Sequence, residues 1–286
     1  MQLFTGSMIL LLAAAVAEKT PAAEPSDLDT QLMLSTFKLA NPGSTATAFI
    51  LTRPGTARSV VAADAKKTQF ILVTAAHVFD EMRGDEATLH FRKQQADGRY
   101  AKSPMPLKVR QAGKNLWTKH PTADVAVMYV SPPADVRVPH LPVELLASDS
   151  ELQKYEVHPG DTLRAIGFPH ANEFEANEGG FAVVRSGCVA SYPLLPTKTT
   201  RTFFFAFNSF EGDSGAAVYL SENNRFYGGK TQEGRVQLIL GLMSEQQFLD
   251  EEIKMAYQTW KFRHRLGLGI VVHATAIKET IALLPP

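Results

Sequence analysis

Short apolar runs of four to six residues, separated by turn-forming clusters, recur along most of this chain. They constrain it to a fold made chiefly of strands. In the first half they are residues 47–51, running up to Arg53-Pro54-Gly55, then residues 69–74, 87–91 and 125–130. Ser131-Pro132-Pro133 follows, with Pro139 and Pro142 close behind. Proline lacks the amide that a sheet ladder needs, so residues 132–158 read as a connector between two units. Beyond it lie residues 162–167, 180–184, 202–207, 216–220, 236–240 and 269–272, with Asn223-Asn224 and Gly228-Gly229 marking a hairpin connection. The expectation is two all-β halves, residues 31–131 and 159–286.

Two segments break the strand pattern. Leu249, Ile253, Ala256 and Trp260 fall at i, i+4, i+7 and i+11, behind Asp250-Glu251-Glu252 and ahead of Arg263-His264-Arg265 and Gly267. That spacing, with acidic residues first and basic residues last, predicts a helix inserted over residues 245–266. Ala276, Ile277, Ile281 and Leu284, stopped by Pro285-Pro286, predict a terminal helix over residues 274–284.

At 286 residues, with 45% hydrophobic and 20% charged, the chain has material for a real core, which excludes disorder and coiled coil. Its 29 Lys and Arg balance 29 Asp and Glu, so charge gives no case for nucleic acid or an anionic membrane surface. Met8 to Ala17 is an unbroken apolar run with small residues at Ala15 and Ala17, which reads as a secretory signal over residues 1–17, followed by a polar segment over 18–30. Export to a periplasm or to the outside of the cell is the expectation. The run is too short to span a bilayer, which takes about 20 residues, so no membrane association is expected after cleavage. The single Cys188 permits no intrachain disulfide and builds no zinc site by itself.

Three short motifs carry chemistry. Thr74-Ala75-Ala76-His77 follows an apolar strand, Asp124 opens the strand Val125-Ala126-Val127, and Gly212-Asp213-Ser214-Gly215 follows a phenylalanine-rich strand. Singly, each has an ordinary reading as turn chemistry. Together, in the order His, Asp, Ser, they supply an imidazole base, a carboxylate to orient it and a hydroxyl to activate. Backbone amides at Gly212 and Ser214 would be convergent donors for an oxyanion, and a glycine at 212 keeps a Cβ out of the way.

On these motifs the chain resembles the chymotrypsin-like (trypsin-like) serine peptidases over about residues 32–282. Gly167-Phe168-Pro169, Glu211 to Gly215 and Val272-His273-Ala274 make it most similar to the disulfide-free bacterial members, such as glutamyl endopeptidases and the catalytic domains of stress proteases. The resemblance implies two six-stranded antiparallel β-barrels with the active site in the cleft between them. It implies an exported serine endopeptidase acting on peptides or proteins through an acyl-enzyme, with His77, Asp124 and Ser214 as its triad and no cofactor. It also implies a specificity pocket at Asn208, Ser209, Met243 and Ser244, with Ser244 bonded to Asp124. Asn208 is uncharged and Met243 stands where glutamyl endopeptidases have histidine, so cleavage after uncharged residues is expected. Asp213 is expected to be a buried anchor beneath the oxyanion loop, its partner unassigned. The apolar stripe of the inserted helix must bury, either as a wall of the cleft or on a barrel flank.

No pair of histidines brackets a glutamate at zinc spacing, which excludes an H-E-x-x-H peptidase, and His90, His120, His140, His158, His170, His264 and His273 read as solvated or structural. No metal site is expected, and Asp250-Glu251-Glu252 reads as a helix start, not a calcium site. No phosphate-binding loop follows a strand. The competing reading is a catalytically silent protein of the same fold that binds peptides or proteins in its cleft.

Overall fold

The computed structural model describes residues 27–54, 68–170 and 177–285. The apolar run at residues 8–17 and the start of the polar segment lie outside them. That segment gives way sooner than expected, because Asp27 accepts the Thr30 amide at 2.7 Å and caps helix α1 (Leu28–Ser35). The first half continues with β1 (Thr36–Asn41), β2 (Ser44–Arg53), β3 (Gln69–Thr74), helix α2 (Ala76–Glu81), β4 (Glu86–Gln94) and β5 (Tyr100–Lys108). It closes with β6 (Arg110–Gln111), β7 (Lys114–Asn115), β8 (Thr118–Lys119) and β9 (Ala126–Val130). Seven of these strands, where six were expected, form an antiparallel sheet in the order β5-β4-β1-β2-β3-β9-β8. The two-residue β8, paired with the start of β9, makes the difference.

The connector is not slack. Pro142 bridges to Thr52, Leu146 bridges to Ile239, and helix α3 (Asp149–Lys154) carries a reciprocal capping box between Ser148 and Glu151. The second half is a closed six-stranded barrel, β10-β11-β12-β15-β14-β13. Its strands are β10 (Thr162–Gly167), β11 (Val183–Val189), β12 (Thr202–Ala206), β13 (Ala217–Tyr227), β14 (Lys230–Lys254) and β15 (Thr259–His273). The β13–β14 turn is Gly228-Gly229, both at positive φ, as a tight hairpin requires. Helix α4 (Ala274–Ala282) ends the chain as expected and buries Ala276, Ile277 and Ile281 in the core that contains the first sheet.

The inserted helix is not there. Residues 245–266 form the outer parts of β14 and β15, a long hairpin turning at residues 255–258. Asp250 pairs in register with Arg263, Glu252 with Lys261 and Leu249 with His264. The acidic and basic runs that read as a match to a helix dipole are cross-strand pairs: ion pairs Glu252–Lys261 at 2.8 Å and Asp250–Arg263 at 3.4 Å, with a Glu251–His264 hydrogen bond at 2.9 Å between them. The apolar stripe does not bury either. Leu249 is 55% exposed and Trp260 46%, so the hairpin stands out from the barrel.

The halves are joined by polar contacts as well as a shared core. Asp29 on α1 accepts two bonds from Arg164 at 2.8 Å and one from the Tyr219 hydroxyl at 2.8 Å, tying the start of the described chain to the barrel. Buried Arg92 holds the carbonyls of Met33, Leu34, Thr36 and Gly180, with Phe37 and Phe181 against its guanidinium.

Candidate active site

His77 enters where β3 turns into α2. No side chain of the N-cap residue, Ala75, satisfies the helix start; the Asp124 carboxylate does so, accepting the His77 amide at 2.9 Å. The same carboxylate accepts the ring Nδ1–H at 2.7 Å and the Ser244 hydroxyl at 2.5 Å. The Ser214 Oγ lies 3.0 Å from His77 Nε2 and 3.3 Å from the Ser244 carbonyl. Asp124, His77 and Ser214, distant in sequence, thus form one hydrogen-bonded line across the join between the sheets.

The electrostatics follow from that line. Burial pushes the Asp124 carboxyl up, but the His77 ring, its charge and the Ser244 hydroxyl together pull it down to about 2. Burial pulls the His77 ring down, and the hydrogen bond and charge of Asp124, with Glu81 and Glu245 further off, outweigh it and hold its pKa above the ordinary 6.5. A carboxylate that stays ionised beside a ring that accepts protons readily is what a general base requires.

The turn carrying Asp124 has an organiser that the sequence reading set among the structural histidines. His120 is buried, and its Nδ1 accepts the amides of Thr122 at 3.1 Å and Ala123 at 2.9 Å. Its Nε2–H then faces Glu279 on α4 at 2.8 Å, and Glu279 also takes Arg201 at 2.8 Å. The terminal helix thereby steadies the loop that aims Asp124.

The loop before Ser214 is fixed from two sides. Thr47 on β2 gives its amide to the Ser214 carbonyl at 2.9 Å and its hydroxyl to the Gly212 carbonyl at 2.7 Å. Gly212 sits at φ +96° and Gly215 at φ +87°, and a Cβ on Gly215 would lie 2.1 Å from the Thr47 carbonyl. Among the described residues, neither the Gly212 nor the Ser214 amide has a hydrogen-bond acceptor. From the other side, Arg185 on β11 ion-pairs with the fully buried Asp213 and donates to the Asn208 carbonyl at 3.1 Å. Its guanidinium lies 4.5 Å from the Phe207 ring and 5.7 Å from that of Phe210. Arg185 is the partner that the sequence left unassigned. Its one signal was a lone arginine directly after the apolar run at residues 180–184.

The residues assigned to specificity come together around β15. Asn208 is exposed at the end of β12, its Oδ1 3.2 Å from where a Cβ on Gly267 would stand, while Ser209 is buried beside it. Met243 is buried, and its methyl would meet a Cβ on Gly269 at 2.5 Å. Gly267, which sequence reading took as the stop of a helix, and Gly269, taken only as the start of a strand, leave the room these side chains use. Ser244 bonds Asp124 and lies beside Ser214, as described. Among the described residues, no three His, Cys, Asp or Glu side chains are placed to hold a metal ion.

The family model for trypsin matches residues 65–238. No curated protein sequence matches the chain. Similar solved structures include the Rv3671c protease in an inactive form, at 14% identity and TM-score 0.41 over 90% of this chain and 92% of that one. A serine-to-alanine variant of the same protein from M. tuberculosis is similar at 15% identity and TM-score 0.45, over 95% and 98%. The scabies mite inactivated protease paralogue S-D1 is similar at 12% identity and TM-score 0.47, over 92% and 98%.

Proposed function

The chain belongs to the trypsin family of serine endopeptidases, and on that premise we propose that Ser214, His77 and Asp124 carry out its reaction. The observation that supports this most directly is the line of contacts: 3.0 Å from Ser214 Oγ to His77 Nε2 and 2.7 Å from His77 Nδ1 to Asp124. His77 takes the hydroxyl proton at Nε2 as Ser214 attacks the scissile carbonyl, and Asp124 fixes the tautomer and stabilises the imidazolium. The Gly212 and Ser214 amides receive the oxyanion, a contribution of roughly 10²–10³ in rate per donor. Collapse of the tetrahedral species leaves the acyl group on Ser214 Oγ and passes the His77 proton to the departing amine. Water then releases the acyl group by the same proton route in reverse.

Asn208 and Met243 support cleavage after uncharged residues, since neither offers a charge to pair with Lys, Arg, Asp or Glu at that position. The apolar run at residues 8–17 supports export, with a mature chain starting near Glu18.

The test is labelling with a fluorophosphonate followed by peptide-library cleavage. Labelling of the wild type that is lost in Ser214→Ala, with cuts after uncharged residues, is the expected result. A wild type that does not label would favour the silent peptide-binding reading. A strong preference for a charged residue would mean that the pocket lies elsewhere. N-terminal sequencing of the exported fraction tests the cleavage point.

A further inference from the structure

The outer half of the β14–β15 hairpin gathers apolar surface of a kind that the rest of the molecule keeps inside. Of the twelve large apolar side chains exposed among the described residues, seven stand between Leu249 and Leu266. Register puts Ile253 opposite Trp260, and Phe262 lies on the same face, its ring stacked on that of Trp260 at 6.2 Å. Met255 and Tyr257 lie in the turn, and Tyr257 is wholly exposed. Soluble monomers rarely leave a contiguous apolar patch of this kind without a use for it.

Charge along the hairpin is sorted as well. Asp250, Glu251 and Glu252 lie on the barrel side of the turn residues and are taken up across the strands by Arg263, His264 and Lys261. From Ile253 to Leu266 the chain holds Lys254, Lys261, Arg263 and Arg265 and neither Asp nor Glu. The even balance of charge over the whole chain thus hides a local run of cations around the exposed rings. Lys254 and Lys261 belong to the face opposite Ile253 and Trp260. Their long apolar stems let the ammonium groups reach past the rings to a charged surface.

We propose that the outer hairpin is a membrane anchor, which seats its turn and its apolar face on an anionic lipid surface. Depth, charge and area each argue for this occupant. Among the described residues, neither β14 beyond Ser244 nor β15 before Gly267 has a second partner strand, so this part of the hairpin carries unpaired amides and carbonyls along both outer edges. Such edges cannot enter hydrocarbon. Side chains alone go in, to the headgroup level that suits tryptophan and tyrosine. The neighbouring cations match lipid phosphates, each contributing about a fivefold gain in binding near an anionic surface. A second copy of the chain fits less well. Ile253, Met255, Tyr257, Trp260 and Phe262, weighted by exposure and taken at no more than about 200 Å² apiece, present on the order of 550 Å², against the ~800 Å² per partner that a stable interface buries. Two such faces would also bring their cations together. At about 3.4 Å per residue the turn lies within roughly 40 Å of Ser244 along β14, so anchoring holds the cleft near the lipid surface.

The test is intrinsic fluorescence with lipid vesicles. The chain has two tryptophans, and Trp117 is buried with its ring 5.3 Å from that of Phe79, so a change on adding vesicles reports Trp260. Vesicles of phosphatidylglycerol and phosphatidylcholine should shift the emission to the blue, and the same vesicles brominated high on their acyl chains should quench it. Ile253→Asp with Trp260→Asp should lower the affinity measured by vesicle sedimentation at least tenfold. Lys254→Gln and Lys261→Gln should each lower it about fivefold at low ionic strength, a difference that added salt should shrink. Thermal melts alongside the wild type report whether the barrel is intact; if the double aspartate variant melts early, Tyr257→Asp in the turn takes its place. Wild type whose emission neither shifts nor quenches with vesicles in excess would overturn the anchor. So would vesicle binding that survives the aspartate substitutions, which would put the contact elsewhere in the chain. Equal affinity for phosphatidylcholine alone would overturn the anionic class of surface. Substitutions that change only the elution volume in gel filtration, with no vesicle binding by the wild type, would make the face a contact between copies. None of these readouts uses hydrolysis, so each holds whichever residue is the nucleophile.

Discussion

Arg185 places its guanidinium against the wholly buried carboxylate of Asp213, the residue immediately before Ser214. Burial pushes the Asp213 carboxyl up, against the pull of Arg185 and the Phe210 amide at 2.7 Å. The cation that anchors the loop before Ser214 is therefore a side chain of the barrel itself. A flat guanidinium suits the place, since it stacks on Phe207 while reaching both the carboxylate and the Asn208 carbonyl.

Removing that cation should disturb loop and fold together. Arg185→Met leaves a buried carboxylate without its partner, a change that typically costs about 3–5 kcal/mol. Thermal denaturation and labelling rate should both fall, and Arg185→Lys should restore only part of either. Adding Asp213→Asn to Arg185→Met should recover stability ahead of labelling. A variant as stable and as reactive as the wild type would mean that the pair does not hold the loop.

The line from Asp124 to Ser214 predicts losses that do not multiply. Ser214→Ala should abolish hydrolysis and leave the melting temperature nearly unchanged, because among the described residues its hydroxyl meets only His77 and the Ser244 carbonyl. His77→Ala and Asp124→Asn should each lower kcat by about 10⁴ or more, and the double variant should be no worse than the poorer single one. Steady-state kinetics on one peptide decide this; multiplied losses would show that the residues act separately.

The pH dependence has a definite sign. The base must be neutral to accept the Ser214 proton, so kcat/KM should fall as pH drops through the His77 pKa. That midpoint lies above the ordinary 6.5, because Asp124, Glu81 and Glu245 outweigh the burial that opposes protonation. Asp124→Asn removes the largest of the raising influences and leaves burial, so the residual activity should titrate at lower pH than the wild type. An unmoved or upward-shifted midpoint would contradict the coupling of the two residues.

Sequence reveals most where the chemistry is contiguous. Thr74 to His77 and Gly212 to Gly215 are unbroken motifs, and strands such as residues 47–51 lie between turn residues, Pro42-Gly43 and Pro54-Gly55, so motifs and strands were both legible. The hairpin at residues 245–266 was not, because a spacing of four places Leu249 and Ile253 on one face of a strand as well as of a helix. Trp260 joins them only through register across the turn. Arg185, Thr47 and His120 were missed for a different reason. Each acts through backbone carbonyls or amides or a distant carboxylate, and no local pattern marks a side chain whose partners are set by tertiary folding. Thr47 meets Gly212 across 165 residues of chain.

His273 supplies a test of acid stability. It caps helix α4 from a buried position, neither ring nitrogen has a hydrogen-bond partner among the described residues, and its ring lies 4.9 Å from that of Phe203. Burial lowers its pKa to about 4, against the weaker pull of Asp149, so the folded protein keeps the ring neutral where the unfolded chain, near 6.5, would protonate it. Between those values the unfolded state binds the extra proton, so the stability present above pH 6.5 is lost as pH falls towards 4. At roughly 1.4 kcal/mol per pH unit this amounts to about 3 kcal/mol over the window. His273→Phe keeps a flat ring against Phe203 and removes both the proton acceptor and two unpaired buried nitrogens. Urea unfolding at pH 7, 6, 5 and 4.5 should show the variant losing less stability than the wild type as the pH falls, with the gap widening below 6.5. Parallel curves for the two proteins would mean that His273 has no part in the acid limb.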